Sequence, residues 1–203
     1  LKAADVGIAM GKGGTDVARQ ASDMILTDDN FATIRRAMEE GRGVYENIRK
    51  SVLFLLSSNL GEILTMFAAV LMGLPSPLQS AHILWINLIT DCFPALALGM
   101  EDGEADIMKR PPRNADDGIF ADGLGFDVAF QGIVITVLTL ASYFIGHYLE
   151  AGRWEIVNSP DGMSMAFLTL SMVEIFHSFN MRSRKGSCLL YTSPSPRDYA
   201  ASR

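Results

Sequence analysis

Cysteine and histidine are scarce in this sequence, with two cysteines and three histidines among 203 residues. Cys92 lies inside an apolar run and Cys188 in a polar tail, so neither belongs to a metal-binding spacing. This scarcity excludes a disulfide framework. It also disfavours Zn²⁺ and Cu⁺, which prefer sulfur and imidazole ligands.

Sequence signals of two other protein classes are also missing. Residues 1–30 lack the basic start, apolar core and cleavage site of a signal peptide. Residues 11–14 (GKGG) do not have the spacing of a Walker loop, so a turn between a strand and a helix is the simpler interpretation. Because the chain begins with Leu1 rather than Met, we expect a fragment of a longer protein.

Apolar residues make up 49% of the chain, and they are concentrated after residue 50. Four long apolar runs follow one another there, and each is close to the ~20 residues that cross a bilayer as a helix. The runs lie at residues 51–74, 82–100, 124–148 and 163–181. The sequence therefore predicts a mostly α, polytopic membrane protein with four transmembrane helices and the lipid bilayer as a partner. We expect no nucleic-acid partner.

Basic residues orient these four runs. They cluster before the first run, between the second and third, and after the fourth, which is typical of cytoplasmic segments. We therefore expect residues 1–50 to be cytoplasmic. The basic residues are Arg35, Arg36, Arg42, Arg49, Lys50, Lys109, Arg110, Arg113, Arg182, Arg184 and Lys185.

The region before the first run has an α/β pattern. Residues 6–10 and 24–27 predict strands, and residues 15–22 predict a helix capped by Thr15. No proline occurs from Phe31 to Leu74, which favours one helix that continues into the membrane. A short soluble helix joined at residues 41–43 to a separate span is the alternative.

These patterns divide the chain into consecutive segments. Residues 1–34 form the α/β part, and residues 35–74 form a stalk that continues into the first span. The other segments are a second span at 80–100, a cytoplasmic loop at 101–122, a third span at 123–149, an extracytoplasmic loop at 150–162 and a fourth span at 163–182.

Three of the four runs carry a carboxylate near the middle, with further polar residues beside it. Asn59 and Glu62 are spaced i, i+3 in the first run, and Asn87, Thr90 and Asp91 are spaced i, i+3, i+4 in the second, which places each group on one helix face. Glu174 lies near the middle of the fourth. Unpaired, three carboxylates would oppose insertion by roughly 7 to 10 kcal/mol together, so such residues usually mark an ion or proton pathway.

The candidate ligands are all oxygen donors: Asn59, Glu62, Asn87, Thr90, Asp91 and Glu174. Mixed carboxylate, amide and hydroxyl oxygens are typical of Ca²⁺ sites. Hydrogen bonds between helices are the alternative for Asn59 and Thr90. Because Pro94 lacks a backbone donor, we also expect local unwinding near Asp91.

Several motifs in order resemble those of P-type cation ATPases. Residues 5–10 (DVGIAM), 14–18 (GTDVA), 21–23 (ASD) and 28–31 (DDNF) are similar to the end of the phosphorylation domain in that family. Residues 40–42 (EGR), 57–62 (SSNLGE), 85–91 (WINLITD) and 108–113 (MKRPPR) resemble the fifth and sixth membrane helices and the following loop of calcium pumps of sarcoplasmic-reticulum type. The resemblance covers residues 1 to about 185.

The resemblance implies specific roles for the polar residues. Asn59, Glu62, Thr90, Asp91 and Glu174 would contribute to one calcium site, and Asn87 and Asp91 to the other. Related pumps for other ions differ at Asn87, Glu62 or Thr90, so these positions favour the two-site calcium type. The sequence of residues 109–113 looks bacterial, which implies a bacterial plasma membrane.

The resemblance also implies what lies outside this chain. The phosphorylated Asp of a HAD-like domain, the ATP and Mg²⁺ sites, and the upstream membrane helix with a further ligand would precede Leu1. The chain alone would then hydrolyse no ATP. The resemblance implies transport of Ca²⁺ driven by an aspartyl phosphate, and buried carboxylates freed of Ca²⁺ make proton counter-transport a reasonable expectation.

Other interpretations remain open. The carboxylates also suit a secondary cation/proton antiporter or a channel, or a P-type pump for Mn²⁺ or another cation. Residues 188–203 resemble a translated sequencing adapter, so we expect no function there; a disordered polar tail is the alternative.

Overall fold

The structure is a computed structural model that describes residues 1–103, 106–112, 118, 120, 123–153 and 159–182. The described chain divides into two compact units, one formed by residues 1–46 and 102–111 and the other by the remainder. The predicted adapter-derived segment 188–203 lies outside the described residues, as do the basic residues Arg113, Arg184 and Lys185.

The first unit contains a small parallel sheet. Strand β1 (Ile8–Met10) is followed by helix α1 (Asp16–Gln20) and strand β2 (Met24–Leu26). Ile8 pairs with Met24 and Met10 with Leu26. The Thr15 hydroxyl accepts a 3.2 Å hydrogen bond from the Ala18 N–H, which confirms the predicted cap.

One carboxylate holds the glycine-rich turn after β1. Asp29 accepts hydrogen bonds from the backbone N–H groups of Gly11, Lys12 and Gly13 at 2.7, 3.0 and 2.7 Å. Asp29 itself has a left-handed φ of 53°, a conformation that Asp and Asn tolerate better than most residues. The backbone N–H of Lys12 and those of its neighbours hold the pKa of Asp29 below its ordinary value.

A single helix, α2 (Phe31–Leu71), joins this region to the membrane segment of the chain. It is continuous through Gly41 and Gly43, so the alternative of two helices joined there is wrong. Within the first unit, the Arg42 guanidinium donates to the carbonyl oxygens of Ile107 and Arg110 at 3.1 and 3.0 Å. Ile107 begins a short 3₁₀ turn, Ile107–Lys109.

The second unit is helical. Helix α3 (Ser80–Trp85), a π-helical turn (Ile86–Asp91) and helix α4 (Cys92–Gly99) follow one another without a break, and helices α5 (Leu124–Ala151) and α6 (Pro160–Met181) come after them. Helix α6 begins before the predicted residue 163 because Ser159 caps it and Pro160 fits its first turn.

Four helical stretches are long and apolar enough to cross a membrane: Phe31–Leu71, Ser80–Gly99, Leu124–Ala151 and Pro160–Met181. The predicted mostly α fold with four membrane-spanning helices is therefore confirmed at this level.

Close backbone packing joins α2 and α5 in the second unit. A Cβ atom added to Gly61 would lie 2.7 Å from Cγ2 of Ile135, which is closer than real Cβ contacts. The Thr136 hydroxyl reaches the Gly61 carbonyl oxygen at 3.2 Å. Gly61 therefore allows α5 to approach α2 closely, because it has no side chain at this contact.

We predict that Gly61→Ala destabilises the protein by about 1–3 kcal/mol, because α5 must move away from the added methyl group. Gly41→Ala is the matched control in the same helix, since nothing lies within 4 Å of its added Cβ. This control should be neutral or stabilising by up to about 1 kcal/mol. Thermal unfolding of the full-length protein in detergent measures both, and equal unfolding temperatures for the two variants would contradict the packing described.

We also predict that Asp29→Asn loosens the turn at residues 11–13, because Asn keeps the left-handed backbone but loses the negative charge that accepts three N–H bonds. The folded pKa of Asp29 is lowered, so its contribution is complete above the unfolded pKa of about 3.9 and is lost as pH falls through the folded pKa. Hydrogen exchange at these amides should be faster in the variant at pH 7 and should converge with wild type in acid. Equal protection at pH 7 would show that the charge is unimportant.

Candidate cation site

Asp91 ends the π-helical turn and is almost completely buried, at 1% exposure. Among the described residues, neither of its carboxylate oxygens has a hydrogen-bond partner. The hydroxyl of neighbouring Ser58 is also buried and makes no well-formed hydrogen bond to a described residue. Buried acceptors without partners are costly, so each such group in a folded protein needs an explanation.

The π-helical turn differs from the predicted local unwinding. The helix widens at Ile86–Asp91 but continues there as a π-helix. The expectation of a segment that leaves the helical conformation is therefore wrong. Pro94 has no N–H to donate to the carbonyl oxygen of Thr90, four residues earlier, and so weakens the regular α-helical pattern there. Single π-helical turns inside α-helices occur frequently at functional sites.

The other side chains approach from α2 and α6. The Asn87 amide donates to Glu62 of α2, at 3.0 Å to Oε2 and 3.4 Å to Oε1. It also contacts the Ile83 carbonyl oxygen at 3.0 Å. Glu62 is 6% exposed, so this buried carboxylate is held by an amide of the neighbouring segment.

Glu174 of α6 has a different partner. The Thr90 hydroxyl lies 3.0 Å from Oε2 of Glu174 and 2.9 Å from the carbonyl oxygen of Ile86. A hydroxyl has one proton and can donate fully to only one of these oxygens. The second carboxylate oxygen of Glu174, Oε1, is buried without a partner among the described residues.

Asn59, like Asp91, is a predicted ligand with no hydrogen bond to another candidate ligand among the bonds described here. Its amide donates to the Leu55 carbonyl oxygen of its own helix at 2.7 Å. It lies one turn before Glu62 on α2, so it shares the helix face of that residue.

The three carboxylates are close enough to interact electrostatically. Asp91 interacts with both Glu62 and Glu174. Even so, no group of three or more His, Cys, Asp or Glu side chains in the described part of the chain is arranged to hold a metal ion. The structure thus brings together two hydrogen-bonded pairs beside an unpartnered carboxylate, Asp91, and not a closed coordination shell.

Sequence reasoning missed a polar contact beside this site. His177 of α6 is buried, and its Nε2 lies 2.8 Å from the hydroxyl of Ser57 on α2. The apolar pattern of α6 alone assigns His177 no contact, and the structure places it between α2 and α6. Its position three residues after Glu174, on the same helix face, is the signal that could have indicated this.

Comparison with known proteins shows the family of the chain. Residues 75–197 match the family model described as the C-terminus of cation-transporting ATPases. The match reaches into segment 188–203, whose origin in an adapter stays a prediction.

The chain is also similar to individual calcium-transporting ATPases. It is 48% identical over 197 residues to calcium-transporting ATPase 1 of Bacillus cereus, covering 92% of this chain and 22% of that protein. It is 47% identical over 183 residues to the calcium-transporting ATPase of Bacillus subtilis, covering 90% of this chain and 20% of that protein.

A human protein, calcium-transporting ATPase type 2C member 1, is 39% identical over 187 residues, covering 92% of this chain and 20% of that protein. The chain spans about a fifth of the length of these relatives. The buried carboxylates on membrane-spanning helices and the match over residues 75–197 lead to the same conclusion: the chain belongs to the cation-transporting ATPase family and corresponds to its C-terminal region.

Proposed function

We propose that this chain is the membrane segment of an ATP-driven pump that transports Ca²⁺. The observation that carries the proposal is Asp91, a fully buried carboxylate whose two oxygens lack partners among the described residues. A transported cation would supply the missing partner and would offset the repulsion from Glu62 and Glu174. The names of the relatives, calcium-transporting ATPases, support Ca²⁺ as the ion.

The donor set favours a hard cation. Carboxylate, amide and hydroxyl oxygens suit Ca²⁺, which takes 6–8 oxygen ligands in flexible geometry. We assign Asn59, Glu62, Thr90, Asp91 and Glu174 to one site and Asn87 with Asp91 to a second, so Asp91 is shared. Binding would draw Glu62 away from Asn87 and Glu174 away from Thr90, which are hydrogen-bonded at 3.0 Å in this structure.

Coupling to ATP would run through α2. This helix carries Asn59 and Glu62 and extends without a break to Phe31. We propose that residues 1–34 are the end of a HAD-like phosphorylation domain, and that the phosphorylated Asp and the ATP and Mg²⁺ sites belong to upstream parts of the same protein. Displacing α2 would change the distance of Glu62 from Asp91, so cation affinity and access would alternate.

The Thr90 contacts support proton counter-transport. If the Thr90 hydroxyl donates to the Ile86 carbonyl oxygen at 2.9 Å, the 3.0 Å contact with Glu174 needs a proton on the carboxyl group. A protonated Glu174 would then donate to Thr90 in the cation-free state. Release of Ca²⁺ on one side would be accompanied by uptake of protons there.

Two other functions use the same carboxylates. A pump for Mn²⁺ would share the fold and the oxygen ligands, and a secondary cation/proton antiporter would need no ATP. The continuous helix from Phe31 and the match to cation-transporting ATPases favour a pump over the antiporter. The similarity to proteins of Bacillus favours the plasma membrane of a bacterium as its location.

We predict that Asp91→Asn in the full-length protein raises the Ca²⁺ concentration for half-maximal phosphorylation from ATP by more than about a hundredfold. Even residues that only support metal ligands typically cost 10–100-fold in affinity, and Asp91 would bind both ions. Asp161→Asn, an exposed carboxylate at the start of α6, is the matched control and should leave the Ca²⁺ dependence unchanged.

Wild-type Ca²⁺ dependence in Asp91→Asn would overturn the ligand assignment. Repeating the titration with Mn²⁺ distinguishes a Ca²⁺ pump from an Mn²⁺ pump. The transported ion is expected to support phosphorylation at the lower concentration. Cation/proton exchange by the wild-type protein without ATP would favour the antiporter instead.

We further predict that Ca²⁺ uptake into vesicles containing the full-length protein makes the vesicle interior more alkaline, because protons leave as Ca²⁺ enters. A pH-sensitive dye inside the vesicles measures this change, and a proton ionophore should abolish it while uptake continues. Glu174→Gln, which cannot exchange a proton, should reduce the alkalinisation per Ca²⁺ ion. Uptake with a constant internal pH would contradict counter-transport.

A further inference from the structure

A second polar group joins the same three helical segments away from the candidate cation site. We call it the Lys50 cluster, and it consists of Asn47, Lys50, Glu101 and Arg182. Lys50 is 1% exposed, and its ammonium group donates to the Arg182 carbonyl oxygen at 2.8 Å. The Arg182 guanidinium in turn pairs with the Glu101 carboxylate at 2.5 Å.

The third side of the cluster links α2 to the end of α4. The Asn47 amide donates to the Glu101 carbonyl oxygen at 2.5 Å. One turn along α2 from Asn47, the Ser51 hydroxyl donates to the Ala95 carbonyl oxygen at 2.9 Å. Two of these bonds use backbone carbonyl oxygens at or beyond helix ends, which helices leave without an intrahelical donor.

The cluster lies at a similar distance from the candidate ligands on each segment. Lys50 precedes Asn59 by nine residues, Glu101 follows Asp91 by ten and Arg182 follows Glu174 by eight. At 1.5 Å per residue, each separation is about 12–15 Å along a helix. Roughly two to three helical turns on each segment would therefore transmit a displacement of the cluster to the candidate ligands of that segment.

We infer that the Lys50 cluster is a positioning device for the cation site: it fixes the register of α2 against α4 and α6, and thereby sets the affinity for the transported cation. This inference rests on the proposed transport function. Lys50 is the central positioning residue, because its buried ammonium joins α2 to the end of α6. The cluster is held by hydrogen bonds among its own four residues, and each of them lies eight or more residues from the candidate ligands on its own segment.

The cluster can fix the positions of the helices because its hydrogen bonds involve charged groups. A buried ammonium donating to a carbonyl oxygen and a guanidinium–carboxylate pair are charge-assisted hydrogen bonds, which are stronger and shorter than neutral ones. Removing the Lys50 ammonium would leave the Arg182 carbonyl oxygen without this donor, and removing the Glu101 charge would leave the Arg182 guanidinium, which is 34% exposed, without its carboxylate partner. The contacts that join the three segments would change in either case. Rearrangement at the cluster would change how closely Glu62 and Glu174 can approach an ion on Asp91.

The test compares Lys50→Met and Glu101→Gln with wild type in the full-length protein. Phosphorylation from ATP is titrated with Ca²⁺, and phosphorylation from inorganic phosphate without Ca²⁺ counts the folded enzyme. We expect both variants to raise the half-maximal Ca²⁺ concentration about three- to thirtyfold, the range for residues that modulate coupling without touching a ligand. The maximal phosphorylation from inorganic phosphate should stay near the wild-type level. A merely structural defect would lower this maximal phosphorylation in the variant.

Arg36→Met is the matched control, because Arg36 is an exposed basic residue of the same helix. A double-mutant cycle of Glu101→Gln and Arg182→Met tests whether the pair acts as a unit. Their effects on the half-maximal Ca²⁺ concentration should then be less than additive. If Lys50→Met does not fold, the milder variant Glu101→Gln is sufficient for the test.

Unchanged Ca²⁺ dependence in the cluster variants, or an equal shift in Arg36→Met, would overturn the inference while leaving the transport function intact. Additive effects in the cycle would also overturn it. If wild-type phosphorylation depends on neither Ca²⁺ nor Mn²⁺, the transport function fails and the positioning role fails with it.

Discussion

The need to compensate buried carboxylates shapes the helical part of this protein. Glu62, Asp91 and Glu174 are each at most 6% exposed, and all three lie on helical stretches apolar enough to cross a membrane. Asn87 and Thr90 satisfy part of this need by contacting Glu62 and Glu174. Asp91 is left without a described partner, and under the proposed function a transported cation would compensate its charge.

The backbone supports the same requirement. A π-helical turn at Ile86–Asp91 lies where Pro94 cannot donate to the Thr90 carbonyl oxygen, and it carries three of the candidate ligands. Gly61 lets α5 pack closely on α2, one residue before Glu62. The π-helical turn and Gly61 thus both lie at the candidate site. A regular helix packed by large side chains would leave the ligand side chains less freedom to move.

Polar contacts in two layers connect the same helical segments. The first layer contains the candidate ligands, and the second, the Lys50 cluster, lies about 12–15 Å farther along each helix. The first layer contains bonds that a cation would have to break, such as the contact between Asn87 and Glu62. The second contains charged groups paired with one another or with backbone oxygens, so it can keep the helices in register while the first layer changes.

Much of this organisation was predictable from the sequence. Apolar runs of about 20 residues predicted the four helices, and Thr15 before a short helix predicted its cap. The spacing of Asn87, Thr90 and Asp91 predicted one polar face, because helical periodicity is a local property. The residue types alone predicted a hard cation, and this stays a prediction.

Only the tertiary structure decided which residues meet. Lys50, Glu101 and Arg182 are far apart in the sequence, and as single residues they indicated no more than membrane orientation or a loop. The contact of His177 with Ser57 and the choice of a π-helical turn over an unwound segment were likewise not predictable. Local pattern determines helices and their faces, whereas the pairing of polar groups depends on how the helices pack, because buried polar atoms must find their partners across that packing.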